Sequence, residues 1–220
     1  MLEGACLARE LTLVLHNSSG EKNMFLDLTL AIDMHDPVVG KANQDQNSFM
    51  SQGHIGTHLD VYEGQGRPPA EYAVRRGVIV HVGDVGETEI TEKVLEGYDV
   101  REGDFVIFHT GYLSKYSYGT RDYFRGHPQM SWDFIETLAK MKLGFIGLDF
   151  AGLRRGDQHG PADLLVGRRG GFIIENMNKI DELYSAVGKT EFTMHTAWTG
   201  FLGFSGLSCR VVAEVPDTAQ

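Results

Sequence analysis

Residues 131–150 read SWDFIETLAKMKLGFIGLDF, a helical pattern that runs directly into a strand pattern. Ser131 is a residue type that caps helix N-termini, and apolar residues then repeat at the spacing of one helical face over residues 132–142. Gly144 is expected to end this helix, and the apolar run over residues 145–150 predicts a buried strand. The stretch therefore predicts a helix that packs on a sheet.

Similar patterns extend in both directions from this unit. Apolar or β-branched runs predict strands at residues 24–32, 78–82, 104–109, 172–175 and 211–215, and helices are expected at residues 91–95, with Thr91 as N-cap, and 181–187. Strands that alternate with a few helices are typical of a mixed α/β fold with a central sheet. Neither an internal repeat nor a linker divides the chain after residue 24, so we expect one domain over residues 24–220. Residues 1–23 are expected to form an N-terminal extension, a candidate for a flexible segment.

The composition excludes several classes of protein. The chain has 220 residues, of which 42% are hydrophobic, and a formal net charge of −10. This charge repels nucleic acid and anionic membranes, and it is compatible with a site that holds a cation. No run approaches the roughly 20 apolar residues of a membrane span, and residues 1–23 lack the pattern of a signal peptide. The two cysteines, Cys6 and Cys209, form no C-x-x-C pair, which favours a reducing, cytoplasmic location.

The segment richest in chemistry covers residues 52–60, QGHIGTHLD. In an extended run, His58 and Asp60 point to the same side of the chain, and a bend at Gly56 would bring His54 around to them. Two imidazoles and a carboxylate suit zinc, manganese or ferrous iron, and three protein ligands leave a position open for water. The alternative is that these side chains make only ordinary hydrogen bonds.

The H-x3-H-x-D spacing resembles the signature of the cyclase-like metal-dependent hydrolases, which include kynurenine formamidase (arylformamidase) and isatin hydrolase. The resemblance continues in order over residues 26–215, in the segments Asp27-Leu28-Thr29, His109-Thr110-Gly111-Tyr112, Tyr123-Phe124, His127-Pro128, Gly147-Leu148-Asp149 and Ile173-Ile174-Glu175-Asn176. It implies a single α/β domain whose mixed, barrel-like central sheet packs on helices. It also implies assembly as a homo-oligomer, either a dimer or a tetramer.

The same resemblance implies one or two divalent metal ions per chain, zinc or manganese. His54, His58 and Asp60 would hold the first ion, and Asp60 would bridge to a second ion that Glu175 and a later histidine also hold. His159 matches the type of that later ligand, although it lies further from Glu175 than is usual in the family, and Asp163 is an alternative. Glu175 follows an apolar strand, where an unpaired carboxylate is costly. Its alternative partner is an arginine: Arg154, Arg155, Arg168 or Arg169.

One departure from the family concerns proton transfer. The family continues Asp-x-Pro-x-His, and the last histidine helps to move protons, whereas here Gly64 stands at that position. The candidates to relay protons instead are Glu63, His35, His109 and His127. Each of the four has an ordinary alternative, either solvent exposure or a structural hydrogen bond.

These expectations converge on hydrolysis of a small amide, formamide or cyclic amide by metal-activated hydroxide. The family's best-known substrate is N-formylkynurenine, from tryptophan catabolism. The basic pairs 154–155 and 168–169 are too sparse for nucleic acid but could bind a substrate carboxylate. Two other functions stay open: a metal-binding relative without hydrolase activity, suggested by Gly64, and a metal-dependent lyase or isomerase.

Overall fold

The computed structural model describes residues 13–16, 22–62, 64–86, 88–188 and 191–216. Within these ranges, nine strands lie in one sheet: β1 (Leu13–His16), β2 (Lys22–Asp27), β3 (His58–Asp60), β4 (Val74–His81), β5 (Phe105–His109), β6 (Phe145–Leu148), β7 (Phe172–Glu175), β8 (Phe192–Trp198) and β9 (Gly206–Pro216). The α-helices in the same ranges are α1 (Val39–Gln44), α2 (Tyr112–Lys115), α3 (Arg121–Gly126), α4 (Trp132–Met141), α5 (His159–Gly167) and α6 (Ile180–Val187). No helix there combines the length and the apolar composition that crossing a membrane requires.

The sheet closes on itself. Its strand order is β1-β2-β9-β3-β7-β6-β5-β4-β8, and β8 also pairs with β9, so that the seven strands from β9 to β8 form a ring. Strands β4, β5, β6 and β7 are parallel neighbours, whereas β3 runs antiparallel to both β7 and β9. The expected single α/β domain with a barrel-like mixed sheet is therefore confirmed. The carboxyl ends of four parallel strands meet at one edge of this ring, which is where α/β sheets place their ligands.

The four parallel strands β4 to β7 divide their side chains between two apolar clusters. Phe105 and Ile107 of β5 belong to the inner cluster, with Leu59 of β3 and Ile174 of β7. The alternate residues of these strands face the opposite way, where Ile173 joins α4 and α5 in a second, outer cluster. This alternation of faces decides which strand-end side chains reach the functional site.

The helix and strand that follow Ser131 form as predicted, with one difference at the helix end. Ser131 accepts a hydrogen bond from the backbone N–H of Phe134, which confirms the N-cap. The helix ends at Met141, three residues before Gly144, because Lys142 takes the left-handed conformation (φ 53°) that closes a helix. Near Thr91 the expected helix is only a short 3-10 turn, Glu92–Leu95, and the Thr91 side chain does not cap it.

The predicted first strand, residues 24–32, is longer than the observed β2. The N–H of Leu28 still donates to the Val211 carbonyl of β9 (2.8 Å), and the chain then leaves the sheet, so that the backbone N–H of Leu30 donates to Thr57 Oγ1 instead. The described part of the predicted N-terminal extension, Leu13–His16, pairs with β2. Residues 1–12 and 17–21 lie outside the described residues, and the domain boundary at residue 24 stays a prediction.

Candidate metal centre

The segment that carries H-x3-H-x-D bends at Gly56 and then becomes β3. Gly56 has φ +60°, and a Cβ at this position would lie 2.8 Å from the Ile32 side chain, so that a larger residue does not fit without rearrangement. His58 pairs in register with Glu175 of β7 on one side and with Ser208 of β9 on the other. Pairing on both edges fixes the direction of the His58 side chain.

The three residues of the spacing converge as expected. Nδ1 of His54 lies 2.9 Å from Oδ1 of Asp60 and 3.2 Å from Nε2 of His58, and the His58 nitrogen lies 3.3 Å from the same Asp60 oxygen. His58 and Asp60 are buried, and the His54 side chain is 16% exposed. Atoms spaced in this way can share one cation at about 2.1 Å, the usual distance of zinc from nitrogen and oxygen ligands. We refer to these three residues as the first group.

A network of hydrogen bonds orients His58. Its Nδ1 donates to the carbonyl of Gly56 (2.9 Å), which leaves Nε2 as the nitrogen that faces Asp60. The same carbonyl accepts from Nδ2 of Asn176 (2.9 Å), and the backbone N–H of Gly56 donates to the Tyr118 hydroxyl (2.9 Å). Partners of this kind fix the tautomer and the ring orientation of a metal-binding histidine.

A second contact holds His54. Its Nε2 lies 2.8 Å from the Ser205 hydroxyl, which leaves Nδ1 directed at Asp60. The approach of the two chain segments depends on glycine, because a Cβ at Gly53 would lie 1.9 Å from the carbonyl oxygen of Gly206. The sequence spacing gave no signal for Ser205, which lies in the loop before β9.

A second group of possible ligands gathers on the other side of Asp60. Nε2 of His159 lies 3.1 Å from Oδ2 of Asp163, 3.4 Å from Oδ2 of Asp60 and 3.4 Å from Oε1 of Glu175. One ligand atom from each of these four residues falls within 4.8 Å of the others. His159 and Asp163 are both present, although the sequence offered them as alternatives. They lie four residues apart on α5, and hence on one face of that helix.

Glu175 contacts histidines rather than arginines. Its described ion pairs are with His159 and, at 3.6 Å, with Nε2 of His58. Arg154, one of the alternative partners, is buried and is occupied elsewhere. Its guanidinium donates to the Met130 carbonyl (2.7 Å), to Gln158 and to Glu89.

The buried carboxylates strongly affect one another. Burial raises the pKa of Glu175 well above its usual value, and the nearby Asp60 carboxylate adds to this. Burial also raises the pKa of Asp163, to about 6. Burial opposes a charge on Asp60 as well, but hydrogen bonds from three histidines, His159 first among them, hold its pKa well below the usual value. Burial disfavours a charged His159, yet the neighbouring carboxylates, led by Glu175, raise its pKa to about 12.

The donor set fits a divalent cation. Within the described residues, Oδ1 of Asp60, Oδ1 of Asp163 and Oε1 of Glu175 are buried oxygens that accept no well-aligned hydrogen bond. Such oxygens are costly unless a cation or a donor satisfies them. Nitrogen and oxygen donors that converge in this way, with carboxylate oxygens to spare, suit a divalent metal ion.

Of the four predicted proton relays, His127 alone among the described residues lines the cavity above these groups. Its Nδ1 donates to the Pro128 carbonyl (2.8 Å), and burial lowers its pKa to about 4, so the ring is neutral near pH 7. His35 is exposed on the loop after β2 and does not line the cavity. Glu63 lies outside the described residues. Gly64, in the following turn, has no atom within 4 Å of a Cβ built on it.

His109 lies outside the cavity because of the strand alternation. The side chain of His109 points to the inner face of β5, like those of Phe105 and Ile107. Glu175 follows the inner residue Ile174 on β7, so its side chain points to the outer face. Nε2 of His109 contacts Asp181 of α6 at 2.7 Å instead. The cavity and the His109 side chain therefore lie on opposite faces of the sheet, and nothing in this placement supports a direct proton-relay role for His109.

The cavity has a volume of about 450 Å³ and ends on the two ligand groups. Phe49 and Phe124 form one wall, with ring centroids 5.8 Å apart, and Arg155 lines another side. A volume of this size accommodates a small organic molecule. The aromatic wall, the Arg155 guanidinium and the histidine and carboxylate side chains of the floor together suit a molecule with one apolar and one polar end.

Besides Ser205, the residues of the site that the sequence analysis missed include Asn176, Tyr62 and Gly152. Asn176 was quoted only as part of a resembling segment, yet it holds the Gly56 carbonyl. Tyr62 donates its hydroxyl to Oδ2 of Asp163 (3.2 Å) and lines the cavity. Gly152 has φ +95°, and a Cβ there would lie 2.4 Å from ring atoms of His159, so only glycine fits.

Comparison with known proteins places this fold and site in a family. The family model described as "Putative cyclase" matches residues 26–153, more than half of the chain. The chain therefore belongs to the cyclase family. No curated protein sequence matches it significantly.

Solved structures share the fold over most of the chain. A potential metal-dependent hydrolase with cyclase activity is 20% identical, with a TM-score of 0.64 over 87% of this chain and 98% of that one. Isatin hydrolase A from Labrenzia aggregata bound to benzyl benzoate is 17% identical, with a TM-score of 0.66 over 89% and 94%. An isatin hydrolase bound to the product analogue thioisatinate is 15% identical, with a TM-score of 0.62 over 88% and 82%. The fold is thus that of cyclase-family metal-dependent hydrolases.

Proposed function

We propose that this protein is a metal-dependent hydrolase that cleaves the C–N bond of a small amide, formamide or cyclic amide. The observation that carries the proposal is the convergence of two ligand groups on one shared carboxylate, Asp60, at the floor of a cavity of about 450 Å³. The similarity to isatin hydrolases supports the bond type, because isatin contains a cyclic amide.

His54, His58 and Asp60 would hold one divalent cation, and Asp60 with His159, Asp163 and Glu175 would hold another. When bound, such a cation lowers the pKa of water and polarises a carbonyl oxygen. The chain itself fixes the donors: the Gly56 carbonyl and Ser205 set which nitrogen of each histidine faces Asp60. Zinc or manganese remains our proposal for the identity of the metal.

Proton movement is assigned to His127. Hydrolysis adds water across the C–N bond, so one proton must reach the departing nitrogen. His127 is neutral near pH 7, and because Nδ1 donates to Pro128, Nε2 is the nitrogen that can accept a proton and return it. His127 would thus take over the role that Gly64 cannot perform.

The cavity walls favour an aromatic substrate with an acidic group. Phe49 and Phe124 offer ring surfaces to an aryl group, and Arg155 offers a guanidinium to a carboxylate. One Arg155 nitrogen donates to the Arg125 carbonyl (2.7 Å), which holds the side chain at the cavity. N-formylkynurenine has both features, and a role in tryptophan catabolism, a cytoplasmic location and a homo-oligomeric state belong to the same proposal.

The test is turnover by the metal-loaded protein. Formyl-anilides with and without a carboxylate, cyclic imides and lactones are to be incubated with wild type and with His127→Gln. We expect amide hydrolysis by wild type, a preference for the acidic aryl substrate that Arg155→Met abolishes, and a drop of 10²-fold or more in His127→Gln, in the range of general acid–base effects (about 10²–10⁴).

Two outcomes would contradict the proposal. Metal binding without turnover of any substrate would favour a metal-binding relative without hydrolase activity, the function suggested by Gly64. Solvent proton exchange into a substrate without hydrolysis would instead indicate a lyase or isomerase.

A further inference from the structure

The two ligand groups differ in the kind of atoms that they offer. The first group has two imidazoles and one carboxylate, whereas the second has one imidazole, from His159, and three carboxylates, from Asp60, Asp163 and Glu175. Nitrogen donors suit zinc, and carboxylate oxygens suit harder cations such as manganese and magnesium. The difference in donors therefore predicts a difference in metal preference.

Asp163 causes most of this difference. Its side chain is completely buried, and Oδ1 has no hydrogen-bond partner among the described residues. Oδ2 accepts from the Tyr62 hydroxyl and lies 3.1 Å from Nε2 of His159. A buried carboxylate with one unsatisfied oxygen is costly unless it is paired or binds a cation.

The charge balance points the same way. Asp60, Asp163 and Glu175 bring three carboxylates to one imidazole, and arginine and lysine are absent from the described ion pairs of all three. A histidine that binds a metal ion is neutral, so three ionised carboxylates bring three negative charges to the second group. A divalent cation would offset most of this charge, and the carboxylate oxygens would supply most of its contacts.

We propose that Asp163 is a metal ligand and that it gives the second group a smaller preference for zinc over manganese than the first group has. The inference rests on the proposed metal-dependent function and deepens it, because it assigns different metal preferences to the two positions. It predicts that the ratio of zinc affinity to manganese affinity is at least about tenfold smaller at the second position than at the first.

The experiment measures metal binding rather than activity. Full-length protein stripped with a chelator is loaded with one equivalent of zinc, and manganese is then titrated while free Mn²⁺ is followed by its electron paramagnetic resonance signal. Total metal is counted by mass spectrometry. We expect one zinc and one manganese per wild-type chain, with further zinc displacing the manganese only at free zinc concentrations at least about tenfold above those that fill the first position.

Two substitutions of the same residue give opposite predictions. Asp163→Asn removes the charge, and we expect manganese affinity to fall about 10- to 100-fold while the single zinc ion stays. Asp163→His adds a second imidazole, and we expect the second position to take zinc at least tenfold more readily relative to manganese. Circular dichroism of each metal-free variant confirms that it is folded before the titration.

Matched controls separate ligation from packing. Tyr62→Phe keeps the Asp163 carboxylate and removes only its hydroxyl partner, so manganese affinity should change less than tenfold. Asp157→Asn removes a carboxylate from the exposed 3-10 turn just before α5, and it should leave both metals unchanged.

The outcomes distinguish this inference from the proposed function. Unchanged manganese affinity in Asp163→Asn, or an unchanged metal ratio in Asp163→His, would overturn the inference while the zinc site and the proposed function stand. Failure of the wild-type protein to bind any divalent ion would overturn both.

Discussion

Two clusters of histidine and carboxylate lie at the carboxyl ends of the parallel strands, and they are built differently. In the metal centre, nitrogen and oxygen atoms from β3, α5 and β7 converge, and three carboxylate oxygens lack aligned partners. In the second cluster, which we call the strand-end chain, the contacts run in a line. Nδ1 of His81 meets Nδ1 of His109, Nε2 of His109 meets Asp181, and Asp181 accepts from Ser114.

The comparison shows that residue types alone do not make a metal site. His109 uses both ring nitrogens on neighbours, so neither is free to join a shared point with Asp181. His58 uses one nitrogen on the Gly56 carbonyl and keeps the other for Asp60. Convergence of free donor atoms in a buried place, rather than composition, therefore separates the two clusters, and the following substitutions test that statement.

The largest effect is expected for His58→Ala. The substitution removes the central imidazole of the first group, so bound metal and hydrolytic activity should fall by more than about 100-fold, beyond the effect of losing an outer-shell contact. Metal analysis of protein purified without chelator measures this. The matched substitution in the strand-end chain, His109→Ala, should keep its full metal content; equal losses in both variants would remove the distinction between the clusters.

A smaller but still large effect is expected for Gly152→Ala. The added Cβ would lie 2.4 Å from His159 and 3.0 Å from Oε1 of Glu175, at a backbone φ of +95°. His159 should be displaced, with at least tenfold weaker metal binding and about 1–3 kcal/mol of lost stability. Binding titration and urea unfolding measure the two effects.

Gly170→Ala serves as the control for Gly152→Ala. Gly170 has φ +86° and no atom near a Cβ position, so it suffers the backbone strain without the contact with His159. It should lose stability and keep its metal. Weakened metal binding in this control would show that strain alone explains the Gly152 result.

Ser205→Ala should have an intermediate effect on the metal centre. Loss of the hydroxyl that lies 2.8 Å from Nε2 of His54 frees this ring to rotate, and metal affinity should drop about tenfold. Ser185→Ala, which alters an exposed serine of α6, is the reference. An affinity equal to that of the reference would mean that packing rather than Ser205 holds His54.

The smallest effect is expected for Asp181→Asn in the strand-end chain. Metal content should not change, and stability at pH 7 should fall by no more than about 1 kcal/mol, because the Asp181 side chain is half exposed and solvent screens its contacts. Thermal denaturation and metal analysis check both statements. A loss of metal in this variant would show that the strand-end chain influences the metal centre, contrary to the statement that the two clusters act separately.

The pH dependence of that small effect has a definite sign. Hydrogen bonds from Ser114 and then His109 hold the pKa of Asp181 below its usual value of 3.8. A carboxylate whose pKa is lowered by folding stabilises the protein above its unfolded-state pKa, and this contribution is lost as the pH falls through the folded value. The difference in melting temperature between wild type and Asp181→Asn should therefore shrink below about pH 4; a difference that grows in acid would reverse the assignment.

The first group was predictable from the sequence because it is local. His54, His58 and Asp60 fall within seven residues, so the alternation of a strand and one glycine bend determine their geometry. The strands at residues 172–175 and near 104–109 could also be predicted, because their sequences are runs of β-branched and aromatic residues.

The second group depended on contacts that no local pattern contains. Glu175 meets His58 only through the pairing of β7 with β3. Helix α5, which puts His159 and Asp163 on one face, was not predicted, because Gly160 and Pro161 are typical of loops. Proline is nevertheless tolerated in the first turn of a helix. The direction of the His109 side chain could not be predicted either, because it depends on which face of β5 is the inner one.

Strand β3 is three residues long and is paired along both edges, to β7 and to β9. It therefore joins β7 to β9 in the closed ring, and two of its three residues are His58 and Asp60. An ion held by Asp60 and Glu175 would tie β3 to β7, and separation of these two strands would release it. Occupancy at one point should therefore slow amide hydrogen exchange across the whole circumference, including strands β4 and β8 on the far side.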